Sequence, residues 1–493
     1  MYGLLILAEE LLAYICSTYL DRASLYQITF VNKQFHRIAS PLLIRDWPIH
    51  LPSRERRTIH IHFVWHLIQN PQLAKRVRTL SLDISLLKES PPKSYSNEIK
   101  LRDVAALVRE GLHSAPDLDG WCLNIEKGEE NDVMKLILLL CPNIVKLQLE
   151  DNSYDNPIGR GDADNFSGFF AWLVGLLTSE PDKSQLQTQA PSSRIAKLCP
   201  LAELRRVVLP FLNPWEGLEV QSAAPFFHLP KLKSVASLGA EVGCMLYDVE
   251  TTSFSLPTLE SFPIGTSPVE ELIFEDAMFD YGALAVFLRA CKRVRKLVYI
   301  DPYDCGYRSI CSCMGLTEAL ILHKTSLEEL VIFFQRHTFE DFLQNVWSDS
   351  YGATLWKHCL PSLHQLKRLT IDIDMIHPGA RSMTEDIRYA KQGDFTLPSS
   401  LEYLRLEGKE RREDSPSKTR LDKFESILEE FGQLGKLRNL RTLDISGVLY
   451  DDPKNGTIER LEALAETRGV EVLFAGATLT WLSYVPDFHL PFR

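Results

Sequence analysis

A six-residue pattern, apolar-x-x-apolar-x-apolar, returns along most of this chain and limits what it can fold into more than any other feature. It stands at Val77 to Leu82, Ile144 to Leu149, Leu204 to Leu209, Val269 to Phe274, Val294 to Tyr299 and Leu327 to Ile332. Further copies run Leu366 to Ile371, Leu401 to Leu406 and Leu440 to Ile445, with weaker ones near Leu123, Leu232, Leu259 and Val470. Apolar side chains at every second position put one face of a short strand against a core. One such strand cannot bury that face alone, so successive units have to stack. The longer segments between copies carry apolar residues at three-and-four spacing over Leu101 to Leu112, Phe166 to Leu177, Tyr281 to Cys291, Phe339 to Trp347, Leu421 to Phe431 and Ile458 to Thr467. Strand and helix therefore alternate. The expected fold class is α/β, a solenoid of irregular leucine-rich type with a parallel sheet on its concave side. Polar, Pro- and Ser-containing stretches at 88–97, 182–194 and 407–420 read as loops.

The two residues after the first apolar position change sign from copy to copy: Arg205-Arg206, Glu270-Glu271, Arg295-Lys296, Glu328-Glu329, Lys367-Arg368. Glu402-Tyr403 and Arg441-Thr442 continue the series. In a parallel sheet these positions are neighbours about 4.8 Å apart, so correct stacking pairs opposite charges and a slipped repeat sets like charges together. The next outward position reads Val208, Ile273, Val298 and Val331, an apolar stripe on the face expected to be concave. Together with Arg206, Glu271, Lys296, Glu329 and Arg368, it is the candidate surface for a protein target. The same stripe also fits β-branched filler, or a face covered by the protein itself. Trp481, Leu482, Tyr484, Val485, Phe488, Leu490 and Phe492 read as a tail that caps the array.

The first fifty residues follow a different rule. Leu7, Leu11, Leu12, Ile15 and Tyr19 recur at helical spacing up to Leu20-Asp21. A second helix is expected behind a capping box of Ser24 and Gln27, with Leu25, Ile28 and Val31 on one face. A third is expected from Asn32, with Phe35, Ile38 and Ala39 inward, ending at Pro41. A helical unit this small buries too little of its own surface, and its leftover apolar face calls for a partner. The expected division is a module at 1–50 and repeats over 51–493.

Leu7-Ala8-Glu9-Glu10-Leu11-Leu12, then Ile15, Leu20, Leu25, Val31-Asn32-Lys33 and Phe35, resemble the F-box, and the irregular repeats resemble those of fungal F-box proteins. The family usually carries proline where this chain has Ala8. The resemblance implies a substrate receptor of a Skp/cullin/F-box ubiquitin ligase. Leu7, Glu10, Leu11, Leu12, Ile15, Leu20, Leu25, Val31 and Phe35 would present the face for a Skp-family adaptor and, through it, a cullin. The repeats would hold a protein target near a charged ubiquitin-carrying enzyme, with no covalent chemistry of the chain's own. The alternative is an interaction scaffold whose N-terminal helices only cap the solenoid.

A net charge of -11 speaks against nucleic acid or an anionic membrane as a general partner. The opening residues lack a basic region and include Glu9 and Glu10, so no signal peptide is expected, and no apolar run is long enough to span a bilayer. With ten scattered cysteines, this points to a cytoplasmic or nuclear protein. His60, His62 and His66, with His50 nearby, lack a completing ligand set and read as surface histidines. Cys305, Cys311 and Cys313, near Asp301 and Asp304, lack paired spacing and read as ordinary thiols. No phosphate-cradling glycine loop and no nucleophile elbow is found, so neither enzyme activity nor a cofactor or metal is expected.

Overall fold

The strands are held at their entry points by a repeated hydrogen-bond device. The amides of Val145 and Lys146 both donate to the Arg78 carbonyl, those of Arg205 and Arg206 to Val145, and those of Lys233 and Ser234 to Arg205. Farther along, Glu328 and Glu329 donate to Arg295, Lys367 and Arg368 to Glu328, and Glu402 and Tyr403 to Lys367. Each carbonyl thus fixes the start of the next strand, which sets register before any side chain contributes.

The computed structural model describes residues 7–47, 53–83, 98–111, 118–150, 172, 201–209, 223–238, 261–275, 281–301, 313–334, 359–372, 397–407, 438–447 and 457–473. They fall into two compact units, one drawn from 1–242, 257–270 and 290–292, the other from 243–256, 271–289 and 293–493. The first opens with helices α1 (Glu9–Tyr19), α2 (Arg22–Ile28) and α3 (Lys33–Arg45), which lead into strand β1 (Asp46–Trp47). Helices α4 (Ser53–Gln69) and α5 (Pro71–Ala74) follow, then β2 (Thr79–Asp83), α6 (Glu98–Gly111), α7 (Leu118–Lys127) and α8 (Glu130–Leu140). Strands β3 (Lys146–Glu150), β4 (Arg206–Leu209) and β5 (Ser234–Leu238) complete its sheet, with α9 (Ala224–Phe227) between the last two. In the second unit β6 (Glu271–Glu275), α10 (Tyr281–Ala290), β7 (Lys296–Asp301), α11 (Cys313–Ile321) and β8 (Glu329–Phe334) alternate. Strands β9 (Arg368–Asp372), β10 (Tyr403–Glu407) and β11 (Thr442–Gly447), helix α12 (Thr457–Glu466) and β12 (Glu471–Leu473) finish it. Every strand pair is parallel, and within each unit the strands stand in chain order.

The fold is therefore α/β with repeated parallel strands, and all nine strong copies of the pattern are strands. The weaker copies near Leu232 and Val470 are β5 and β12, whereas Leu123 lies in α7 and Leu259 lies outside the described residues. The Leu123 segment reads as helix because Cys122 and Ile125 face inward at three-residue spacing. Of the helix expected at 166–177 only Trp172 is described, and it is helical; the helices expected at 339–347 and 421–431, and the aromatic tail from Trp481, lie outside the described residues. Leu297, Leu330, Leu369, Leu404 and Leu443 form one column of buried side chains across neighbouring strands. Each contributes about 1.5–3 kcal/mol on burial. On the helix side Phe274 stacks on Phe287 with centroids 5.0 Å apart.

Of the readings open for the outward stripe, the covered face holds and the open contact surface does not. Val208, Ile273, Val298 and Val331 are all at most 3% exposed. Their β-branched shape suits both faces of a strand, and only burial on the second face distinguishes a covered stripe from an open one.

Candidate functional site

Helix α1 starts with Glu9 and Glu10 in its first turn, where the dipole favours anions. Leu12 and Cys16, one turn apart, enter a small core with Leu25, Ile38 and Ala39, flanked by Leu7, Leu20, Phe35, Leu42 and Leu43. The cap of α2 is Asp21, whose Oδ1 accepts from the Ser24 amide at 2.7 Å, so the helix begins one turn earlier than the Ser24 capping box implies. Ser24, through its hydroxyl first and its amide second, holds the Asp21 carboxyl below its ordinary range. Asn32 caps α3 as expected, accepting from the Phe35 amide at 2.8 Å. Pro41 does not end α3, which runs on to Arg45. The hydrogen bond that proline removes is offset by burying Leu42 and Leu43 against the core. Arg37 grips Glu9 with a two-pronged contact, Nε to Oε1 at 2.9 Å and Nη2 to Oε2 at 2.6 Å, tying α3 to the start of α1.

With the module's inner faces packed on one another, its outer faces stand out. Six of the eleven exposed large apolar side chains among the described residues lie here: Leu11, Tyr14, Tyr19, Tyr26, Phe30 and Val31, between 52% and 71% exposed. Tyr14 meets Tyr19 edge-on with centroids 6.4 Å apart, and Tyr26 meets Phe30 at 5.0 Å. Rigid aromatic surface of this kind loses little entropy when it is covered. Of the residues expected to face an adaptor, Leu11, Glu10 and Val31 are exposed, Leu7, Ile15, Leu20 and Phe35 are half-buried, and Leu12 and Leu25 are core. Tyr14, Tyr26 and Phe30 escaped the sequence reading. Their signal was present, since α1 and α2 are apolar on more than one face, which two or three packed neighbours cannot fully bury.

At the other end of the module, Trp47 stacks on Phe63 at 3.9 Å between centroids and lies under the Arg22 guanidinium, 5.4 Å away. Arg22 Nη1 also donates to the carbonyls of Leu43 and Asp46. The link from helices to sheet is thus packed and hydrogen-bonded.

In the repeats, Lys296 Nζ lies 3.3 Å from Glu329 Oε1, and Glu271 and Arg368 are the register neighbours on either side. The Arg368 guanidinium also stacks on Tyr403, 4.5 Å from the ring centroid. Beside this row Arg295 donates to Glu328 at 2.9 Å, which holds the Glu328 carboxyl below its ordinary range. Arg206 is half-buried at the start of β4.

His60 is fully buried and its Nδ1 contacts Glu130, contrary to a surface role, because α4 packs that side against α8. His62 and His66 are exposed and His50 lies outside the described residues. Cys16, Cys122, Cys141, Cys291 and Cys359 are buried thiols, and burial pushes each of them up, Cys359 to about 12, which makes them poor nucleophiles. Cys305 and Cys311 lie outside the described residues. Among the described residues no group of three or more His, Cys, Asp or Glu could hold a metal ion, and no helix is long and apolar enough to cross a membrane. No protein-family model matches the chain, and no curated protein matches it in sequence.

Proposed function

We propose that this protein is a substrate receptor of a Skp/cullin/F-box ubiquitin ligase, in which α1–α3 dock a Skp-family adaptor and the repeats hold a protein target. The observation that carries the reading is the exposed set Leu11, Tyr14, Tyr19, Tyr26, Phe30 and Val31 on a module whose own core is already closed. Such a patch offers binding energy without requiring the module to unfold. The chain would act by proximity, raising the local concentration of the target's lysines at an enzyme carried by its partners.

Co-expression with a Skp-family adaptor should yield a stoichiometric complex. Leu11→Asp with Phe30→Asp should abolish it while leaving the fold intact, because both side chains are exposed. Leu12→Asp should instead unfold the module, since Leu12 is core. Full recovery of adaptor by the Leu11/Phe30 double variant overturns the docking assignment.

A scaffold reading, with α1–α3 as a cap, draws on the pairing of β1 with β2 and on the Trp47–Phe63 stack. The same double variant separates the two, because a cap has no need of its outward aromatic side chains.

A further inference from the structure

The charge rows at the strand entries differ between the two units. In the second unit the first row reads Arg295, Glu328, Lys367, Glu402, Arg441 on successive strands, and it neutralises itself pair by pair. In the first unit the same row reads Arg78, Val145, Arg205, Lys233 and ends at Glu270, whose amide donates to the Lys233 carbonyl, and the row behind it pairs Lys146 with Arg206 in direct register. Alternation fails there because β5, entered through Lys233, stands beside Arg205.

Arg78, Arg205 and Lys233 are exposed. Arg205 and Lys233 enter adjacent strands and repel one another, and Val145 supplies no carboxylate between Arg78 and Arg205. The edge already shows what it holds. Lys231 Nζ donates to the Glu203 carboxylate at 2.5 Å, and Lys233 Nζ donates to Glu270 at 2.9 Å. The Glu203 carboxyl is held below its ordinary range by the Lys231 hydrogen bond first, with the fields of Arg205 and Arg78 adding to it. Carboxylates placed here are therefore gripped.

We infer that the strand-entry edge of β2–β5 is a docking surface for a short acidic peptide segment of a partner protein, with Arg78, Arg205 and Lys233 as its principal contacts. Two features select a peptide over nucleic acid. From β2 to β5 the row spans three interstrand spacings, about 14 Å, the reach of about four extended residues. A longer polyanion would run off this edge into the field of a chain with net charge -11. The rows also offer no aromatic platform on which bases would stack. The inference deepens the receptor reading by assigning the chemistry of the target, and its test is independent of adaptor binding.

The test uses the full chain and fluorescein-labelled octaglutamate, followed by anisotropy at low salt. Saturable binding that weakens as salt rises is expected, with a loss of at least about tenfold in Arg78→Glu/Arg205→Glu/Lys233→Glu and no change in the exposed control Lys127→Glu. Far-UV circular dichroism checks the fold, and Arg205→Glu alone, expected to weaken binding about threefold, stands in if the triple variant is unstable. Adaptor capture should be untouched by all of these variants, so failure of the acidic-peptide inference is distinguishable from failure of the receptor reading. Three results overturn it: no binding of octaglutamate, equal binding by the charge-reversed variant, or tighter binding of octathymidylate than of octaglutamate.

Discussion

Asp444→Ala should be among the most damaging single truncations in the second unit. Asp444 stands on β11 in the column that carries Ile273, Val298 and Val331 on earlier strands, and its side chain is 4% exposed. Its Oδ2 accepts from the Tyr403 hydroxyl at 2.6 Å and lies 3.5 Å from Arg405 Nη1; its Oδ1 accepts from the Ser446 amide at 3.0 Å and hydroxyl at 2.6 Å. Breaking a buried ion pair by removing one partner costs about 3–5 kcal/mol. Arg405 keeps Glu407, bonded at 2.5 Å, which moves the expectation to the lower end, about 3 kcal/mol. Tyr403→Phe deletes a hydrogen bond from a neutral donor to a charged acceptor and should cost about 1.5–3 kcal/mol. In the double variant the hydroxyl is no longer orphaned, so the two losses should fall short of additivity by about 1 kcal/mol. Urea midpoints by circular dichroism measure the totals, and amide exchange on peptides covering 403–407 and 442–446 shows where protection is lost. A loss below about 1 kcal/mol for Asp444→Ala, or additive losses in the double variant, refutes a network that acts as one unit.

Other outcomes follow from single contacts. Ala8, at the cap of α1, has φ -57°, inside the range proline imposes, so Ala8→Pro should raise the unfolding free energy measured in urea by about 0.4–1 kcal/mol and leave adaptor capture intact. His323 is buried, with Nε2 donating to the Leu288 carbonyl at 2.9 Å and Nδ1 accepting from the Val294 amide, and burial lowers its pKa from the ordinary 6.5. A depressed value means stability is complete above pH 6.5 and falls as acid protonates the buried ring. A melting series from pH 8 to 5 should show that fall, and His323→Gln should flatten it. Glu329→Lys sets three cations on neighbouring strands in place of the 3.3 Å pair with Lys296, and should cost at most about 1 kcal/mol in the same urea assay, since the pair is partly solvated.

The strands were legible because a two-residue period over six positions has few other readings, and the entry charges correctly put Lys296 beside Glu329. Helix α8 was not, since seven of its eleven residues are buried and its apolar run shows no polar face to mark the period. His60 misled for a related reason: its partner Glu130 is distant in sequence, and only the packing of α4 on α8 makes the pair. Helix α3 passes through Pro41 because tertiary burial outweighs a local preference that sequence can see.

The N-terminal helical module shows the same limit from the opposite side. Helical spacing correctly gathered Leu7, Leu12, Leu20, Leu25 and Phe35, but spacing identifies residues that share a face without saying whether that face is turned inward. Leu11 and Leu12 are adjacent, and the 100° between them is the difference between exposed surface and core. In the repeats the difference is a whole sheet face. Val298 at 0% exposure is indistinguishable by type from an open β-branched stripe, yet Arg405, Glu407 and Asp444 continue the same face as a buried polar network. That face carries a buried ionic cluster on β10 and β11 and buried β-branched side chains on β6, β7 and β8, so on these strands the charge that reaches solvent stands at the strand entries, at Arg295 and Glu328.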